Sequence, residues 1–394
     1  MHRRGLPTNT TKKKRLIYLD LIRGTFLVFI IINHIPYGPK FTDVITGDGA
    51  LVSTAAEGFF LLSGLMVAYL YLPKILKNTK TVLEKIWKRA GLLYTLSILT
   101  TLTFTVAAIT LNTDPTEGVL YSGSILSLDF LQNLLSLQYI YGWADFLARY
   151  AVFMLFAPAA LFLIAYKKTH ILVGLSLLLW FVSPVIGVEH FTAWQTLFFA
   201  GMIIGSKLDV IMAFFSKPKN ARVTTTLLVV VLATVLWSLY VDLLYPAVIS
   251  FHFNNSLFIL LMDTFHVPYP LHDALFSKEY MPILRIIISV LWFIAALILF
   301  SKYENTIKKY TGPLLGFLGQ NSLTVYVIHS FVIFSVFIIF VSTEARYGFI
   351  VSTAIGLGAV IAVFLLTKLY LFAVATQKDK PKSFLGLIRS RFTR

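Results

Sequence analysis

Arg23, His34, Glu57 and His329 are the residues whose types and surroundings point most directly to chemistry. Each interrupts an apolar run long enough to cross a bilayer. An ionisable group there costs several kcal/mol and is read as functional by default. Arg23 and His34 are eleven residues apart in Leu16–Ile35, about three helical turns and roughly 16 Å of rise. They share one helix face with Leu27 and Ile30 between them, and Asp20 sits one turn below Arg23. Such a stripe suits a polar path through the bilayer. It also suits a buried Asp20–Arg23 pair that only holds helices together, with His34 at the interface.

Glu57 stands in the second apolar run, in Ser53-Thr-Ala-Ala-Glu57-Gly-Phe-Phe-Leu-Leu-Ser63-Gly64. A short loop makes the first two spans antiparallel neighbours, which brings Glu57 near the depth of His34. A carboxylate beside an imidazole fixes its tautomer and raises its basicity. A histidine so held can take a proton from a sugar hydroxyl as general base. Arg149 and Lys40 are the alternative partners for Glu57. Ser63 and Gly64 lie deeper, on a small-residue surface that also suits close helix packing. In the ninth apolar run Ser322, Tyr326 and His329 form one polar stripe, adjoined by Asn321. Trp194 and Gln195 open the sixth, and Asp242 and Arg285 are placed to pair near the outer ends of the seventh and eighth. The segment Lys85-Ile-Trp87-Lys88-Arg89 reads as a loop after the second span. Its cations and indole suit a phosphorylated or nucleotide-bearing donor. They suit positive-inside anchoring equally well.

The elements that must carry these residues are membrane helices. The chain has 394 residues, 57% hydrophobic and 13% charged, with mean hydropathy +0.79. An ordinary soluble domain is about a quarter charged. The expectation is an all-α polytopic membrane protein with ten spans, roughly 16–36, 51–72, 90–111, 149–166, 170–188, 194–212, 223–246, 282–301, 313–341 and 346–376. The net charge of +16 would suit nucleic acid, but most Lys and Arg fall in alternate loops and both tails. That is positive-inside topology with both termini cytoplasmic, so no nucleic-acid partner is expected. The domain division is a basic tail over 1–15, a membrane domain over 16–376 and a second basic tail over 377–394. The first apolar run is too long for a signal-peptide core and is read as retained.

There are no cysteines, so thiolate catalysis and disulfides are excluded. The external segment Asn112–Ala148 reads as interfacial or re-entrant half-helices over a site. The segment Ala247–Met281 reads as an ordered cap with surface histidines His252, His266 and His272. Their irregular spacing does not support zinc, and no metal site is expected.

Arg23-x10-His34, then Glu57-Gly-Phe-Phe-Leu-Leu-Ser63-Gly64, then Trp87-Lys88-Arg89, then Leu318-Gly-Gln-Asn321-Ser322-Leu-Thr-Val-Tyr326-Val-Ile-His329 form an ordered series. It resembles the type-three membrane acyltransferase superfamily over most of the chain. Within it the chain looks most like the OpgC branch, the glucan succinyltransferases. Asp20-Leu-Ile-Arg23-Gly, Ala55-Ala56-Glu57 and Ala193-Trp194-Gln195-Thr196-Leu197-Phe198-Phe199 carry that likeness. The resemblance implies a cytoplasmic acyl-CoA co-substrate, no tightly bound cofactor, and transfer to a hydroxyl of an extracytoplasmic glycan. It implies His34 as the essential base and Arg23 on the donor's path, with roles for Glu57 and the basic segment.

The resulting expectation is a multi-pass inner-membrane O-acyltransferase. His34 and Glu57 are its catalytic pair, and Arg23, Ser63, Lys88 and Arg89 hold the donor. Asn321, Tyr326, His329, Trp194 and Gln195 serve the oxyanion or the acceptor. The rival is a transporter or flippase for a glycan or small solute, which would also use intramembrane Arg, His and Glu.

Overall fold

The computed structural model describes residues 15–35, 38–113, 120–246, 268–341 and 348–378. The tail residues 1–14 and 379–394, with His252 and His266, lie outside the described residues. Among the described residues every regular element is helical. The principal helices are α1 (Ile17–Asn33), α2 (Ala55–Ile75), α3 (Thr79–Thr110), α4 (Leu128–Leu135) and α5 (Asp145–Ala165). They continue as α6 (Thr169–Phe181), α7 (Gln195–Ser206), α8 (Leu208–Ser216), α9 (Ala221–Ser238), α10 (Ile283–Lys302) and α11 (Glu304–Thr311). The last are α12 (Phe317–Gln320), α13 (Ser322–Val341) and α14 (Phe349–Lys378).

Each expected apolar run carries a helix. Among the described residues seven helical stretches are long and apolar enough to cross a membrane, and eight if the pair ending in α7 and α8, bent by 69°, is one span. Helix α1 has 17 residues and α6 has 13, both shorter than the roughly 20 residues that span the hydrocarbon core. Large apolar side chains such as Leu178, Leu232, Ile361 and Leu365 are exposed on the outer faces. In a bilayer these are the lipid-facing surface, and the helices keep their backbone polar groups bonded internally.

Helix α1 is the hub. It packs against α2, α10, α12, α13 and α14, and Leu21, Ile22, Leu27 and Ile31 are almost wholly enclosed. Lipid is as apolar as leucine, so such packing needs close backbone approach more than hydrophobicity. Gly24 and Gly319 provide it: a Cβ on either would overlap a backbone carbonyl, of Leu315 and of Asp20 respectively. The same device joins α2 to α7, where Gly64 meets the Phe198 carbonyl and Gly201 and Gly205 meet those of Leu61 and Leu65.

Two elements differ from the sequence reading. The basic segment Lys85–Arg89 is no loop. It forms part of α3, which begins at Thr79, because the turn after α2 takes up only Leu76–Asn78. The ninth run is broken: a wide π-type turn over Gly312–Gly316 and the short α12 precede a break at Asn321. Asn321 bonds back to the Phe317 carbonyl through Nδ2 at 2.9 Å, and this marks the start of α13. The half-helix expected in the external segment is α4, which seats Phe130 and Leu134 against Phe104 and Tyr139.

Candidate active site

His34 caps the C-terminus of α1, its backbone N–H donating to the Ile30 carbonyl at 3.1 Å. The chain beyond it is tied down at once. Buried Lys40 donates through Nζ to the Ile35 carbonyl at 3.2 Å and to Asp48 at 2.9 Å, while Asp43 takes the Lys40 backbone N–H at 2.7 Å. Asn33 donates to the Thr46 carbonyl at 3.3 Å. The helix end that presents the imidazole is therefore anchored on both sides.

The neighbour of that imidazole is His329. Nδ1 of His34 and Nε2 of His329 are 3.1 Å apart, and the rings lie at 24° with centroids 5.3 Å apart. Nδ1 of His329 meets the Tyr326 carbonyl one turn back on α13. Tyr326 also donates its hydroxyl to the Trp143 carbonyl at 2.9 Å, which joins α13 to the turn before α5. The sequence stripe on α13 thus divides: His329 reaches His34, Tyr326 packs against His329, and Ser322 and Asn321 stay about two turns away.

Glu57 is not beside His34 in a hydrogen bond. It is fully buried, and Arg285 claims it, through Nε at 2.8 Å and through Nη2. Arg285 also donates to the carbonyls of Phe276 at 2.6 Å and Leu51 at 3.3 Å. The other Glu57 oxygen accepts the Thr54 backbone N–H at 3.0 Å and the Thr54 hydroxyl, a capping box at the start of α2. This overturns the expected His34–Glu57 pair, and Arg149 and Lys40 as alternatives with it. The expected Asp242–Arg285 pair is absent too. Asp242 accepts from Ser238 at 2.6 Å and lies 2.9 Å from His272, so His272 belongs to a packed polar cluster.

A cavity of about 380 Å³ opens beside His34, lined also by Tyr326, Asp145, Arg149, Trp194 and Lys278. Arg149 is bonded to Asp145 one turn back at 2.6 Å, and its guanidinium lies over the Trp194 ring at 4.8 Å. Trp194 lines the cavity, and its indole N–H is buried without a hydrogen-bond partner. Gln195 is committed elsewhere: it bonds Ser176 twice at 2.8 Å and the Thr192 carbonyl at 3.0 Å, and fastens α7 to α6.

A second cavity, of about 520 Å³, meets α1 in its N-terminal half, at Arg23. Arg23, Lys85, Lys88 and Arg89 line it with Tyr71 and Tyr150. Lys85, Lys88 and Arg89 share one face of α3 by their spacing. Arg23 also reaches the Gly319 carbonyl at 3.4 Å, while Asp20 is bonded to Arg15 at 2.6 Å. The stripe on α1 is therefore no Asp20–Arg23 pair. The two cavities are neighbours along α5: Arg149 lines one and the next residue, Tyr150, lines the other.

A family model described as OpgC protein matches residues 15–374, a stretch that holds both cavities and all of the residues above. The chain belongs to the OpgC family. No curated protein and no solved structure matches it. Membership points to a membrane acyltransferase of glucan modification.

Of the residues singled out in the sequence, Arg23, Lys88 and Arg89 share one cavity, and His34, Tyr326 and Trp194 share the other. His329 stands behind His34. Ser63 is buried on α2 and, like Gln195 and Asn321, lines neither. Arg149 and Lys278 join the first cavity, and Tyr71 and Tyr150 the second, beyond the residues that the sequence singles out for them. Only Asp145-x3-Arg149 carries a local signal, the spacing of a helical ion pair.

Proposed function

We propose that this OpgC family member is a membrane O-acyltransferase that takes its acyl group from acyl-CoA on the cytoplasmic side and delivers it to a hydroxyl of a glycan outside. The observation that carries this reading is the pair of cavities meeting the same helix, one at Arg23 in its N-terminal half and the other at its C-terminal end. One is rich in cations suited to phosphates, and the other is lined by His34, whose imidazole is paired with His329 behind it. In this reading the CoA phosphates dock at Lys88 and Arg89 with Lys85, since charge-assisted contacts to phosphate are the strong ones. The thioester passes Arg23 toward the His34 cavity.

There His34 accepts the proton of the acceptor hydroxyl, whose oxygen forms the new bond to the acyl carbon as the carbon–sulfur bond breaks. The CoA sulfur leaves as thiolate and receives, through water, the proton that His34 accepted, which returns the imidazole to its neutral form. Developing negative charge on the carbonyl oxygen is met by the Trp194 N–H, with Arg149 close by. Tyr326 is committed to the Trp143 carbonyl, and Asn321 lies at the far break, so neither serves that oxygen as well. The OpgC likeness favours a succinyl donor, whose free carboxylate would meet Lys278 in a cavity where Arg149 is already paired with Asp145 and Glu279 is also on the wall.

Intact mass of the glycans from strains with and without the gene tests the reaction class. Loss of a constant acyl mass from an otherwise unchanged glycan is expected. Loss of the whole glycan would make the protein a transporter.

A further inference from the structure

His329 is the most constrained polar group that this reaction leaves without a task. Its two ring nitrogens face different partners. A carbonyl oxygen can only accept, so Nδ1 of His329, which faces the Tyr326 carbonyl, carries the hydrogen. With the ring neutral, Nε2 of His329 is then an acceptor. The atom it faces, Nδ1 of His34, must be the donor. A neutral His34 with hydrogen on Nδ1 has its lone pair on Nε2. One carbonyl therefore dictates, through two rings, which nitrogen of His34 is basic.

We propose that His329 is a positioning residue that holds His34 in the Nδ1–H tautomer, with Nε2 presented as the base. The inference rests on His34 being the base of the proposed transfer. A carboxylate usually does this orienting work, and the carboxylate expected here, Glu57, is spent on Arg285 and Thr54. When His34 takes the acceptor's proton on Nε2, its Nδ1–H stays bonded to Nε2 of His329. His329 keeps its own hydrogen on the Tyr326 carbonyl, so the new charge forms against an acceptor already in place. His329 touches neither substrate in this arrangement. It acts through His34.

Two variants separate the halves of this ring. His329→Asn sets an amide near the position of Nδ1 and can still donate to the Tyr326 carbonyl, but it has nothing at Nε2. His329→Gln sets an amide oxygen near Nε2 and can accept from His34. Purified full-length protein in proteoliposomes is assayed for kcat and for KM of acyl-CoA and glucan, with His34→Ala alongside. His329→Asn is expected to lower kcat by about 100-fold or more with both KM values within about twofold, as when an orienting partner is lost. His329→Gln is expected to recover to within about tenfold of wild type.

Equal kcat for the two variants, or a rise in KM at constant kcat, overturns the positioning role. An active His34→Ala would instead remove the base reading beneath it. Histidine ring nitrogen-15 shifts of the reconstituted protein give a readout independent of turnover. Wild-type His34 should show hydrogen on Nδ1 alone, and His329→Asn a mixture of tautomers. Hydrogen on Nε2 of wild-type His34 refutes the proposal.

Discussion

Replacing Arg285 by alanine should destabilise the protein more than any other single truncation at the His34 end of the bundle. Arg285 is 3% exposed and Glu57 is fully buried, so neither charge has water to fall back on. The substitution leaves the Glu57 carboxylate with Thr54 alone, and it strips the Phe276 and Leu51 carbonyls of their donor. Removing one partner of a buried ion pair costs about 3–5 kcal/mol. At about 2 °C per kcal/mol this is a drop of roughly 6–10 °C in melting temperature. Glu57→Gln should cost less, since glutamine still closes the capping box and still accepts from Arg285. Combining Glu57→Gln with Arg285→Met should cost less than the sum of the two single changes, the mark of direct coupling.

The assay is thermal unfolding in detergent, followed by size-exclusion chromatography or intrinsic fluorescence, with acyl transfer measured on the folded fraction. Glu57 acts here on the fold, so Glu57→Gln should melt below wild type and keep transfer within about tenfold. A Glu57→Gln protein that melts like wild type and loses transfer by about 100-fold would refute this reasoning. The carboxylate would then belong to the chemistry.

Three further outcomes follow from named contacts. Lys88→Glu with Arg89→Glu should raise KM for acyl-CoA by about tenfold or more with kcat little changed, because the contacts are made equally in ground and transition states. Trp194→Phe keeps the ring under Arg149 but removes the N–H, and should lower kcat by about 100-fold with KM unchanged in steady-state assays. Gly319→Ala should lower the melting temperature, since its Cβ meets the backbone of Asp20 and Gly24, where overpacking costs about 1–3 kcal/mol. Gly91→Ala, which has open space around it, should melt like wild type.

Most of the architecture was legible because a bilayer leaves the chain few options. Apolar length alone located each helix-bearing run. Arg23 and His34 were legible for the same reason, since charge within such a run has few uses. Partners were not legible. Depth and adjacency put Glu57 beside His34, yet Thr54-Ala-Ala-Glu57 already spelled a capping box that turns the carboxylate toward the helix start. Arg285 wins it because α10 packs against α2 at that depth, a fact of tertiary packing with no trace in local spacing. The same limit hid the His34 cavity, which draws Arg149, Trp194 and Lys278 from three separate segments. Lys85–Arg89 reads as a loop in the sequence, whereas α3 runs through the charged stretch.

The central claim is that one helix joins a donor on one side of the membrane to an acceptor on the other through His34. Proteoliposomes with a glucan enclosed and isotopically labelled succinyl-CoA outside test it directly. Wild-type protein should place label on the enclosed glucan, and equally incorporated His34→Ala should place none. Transfer by His34→Ala at near wild-type rate, or label appearing only when both substrates share one side, would contradict it.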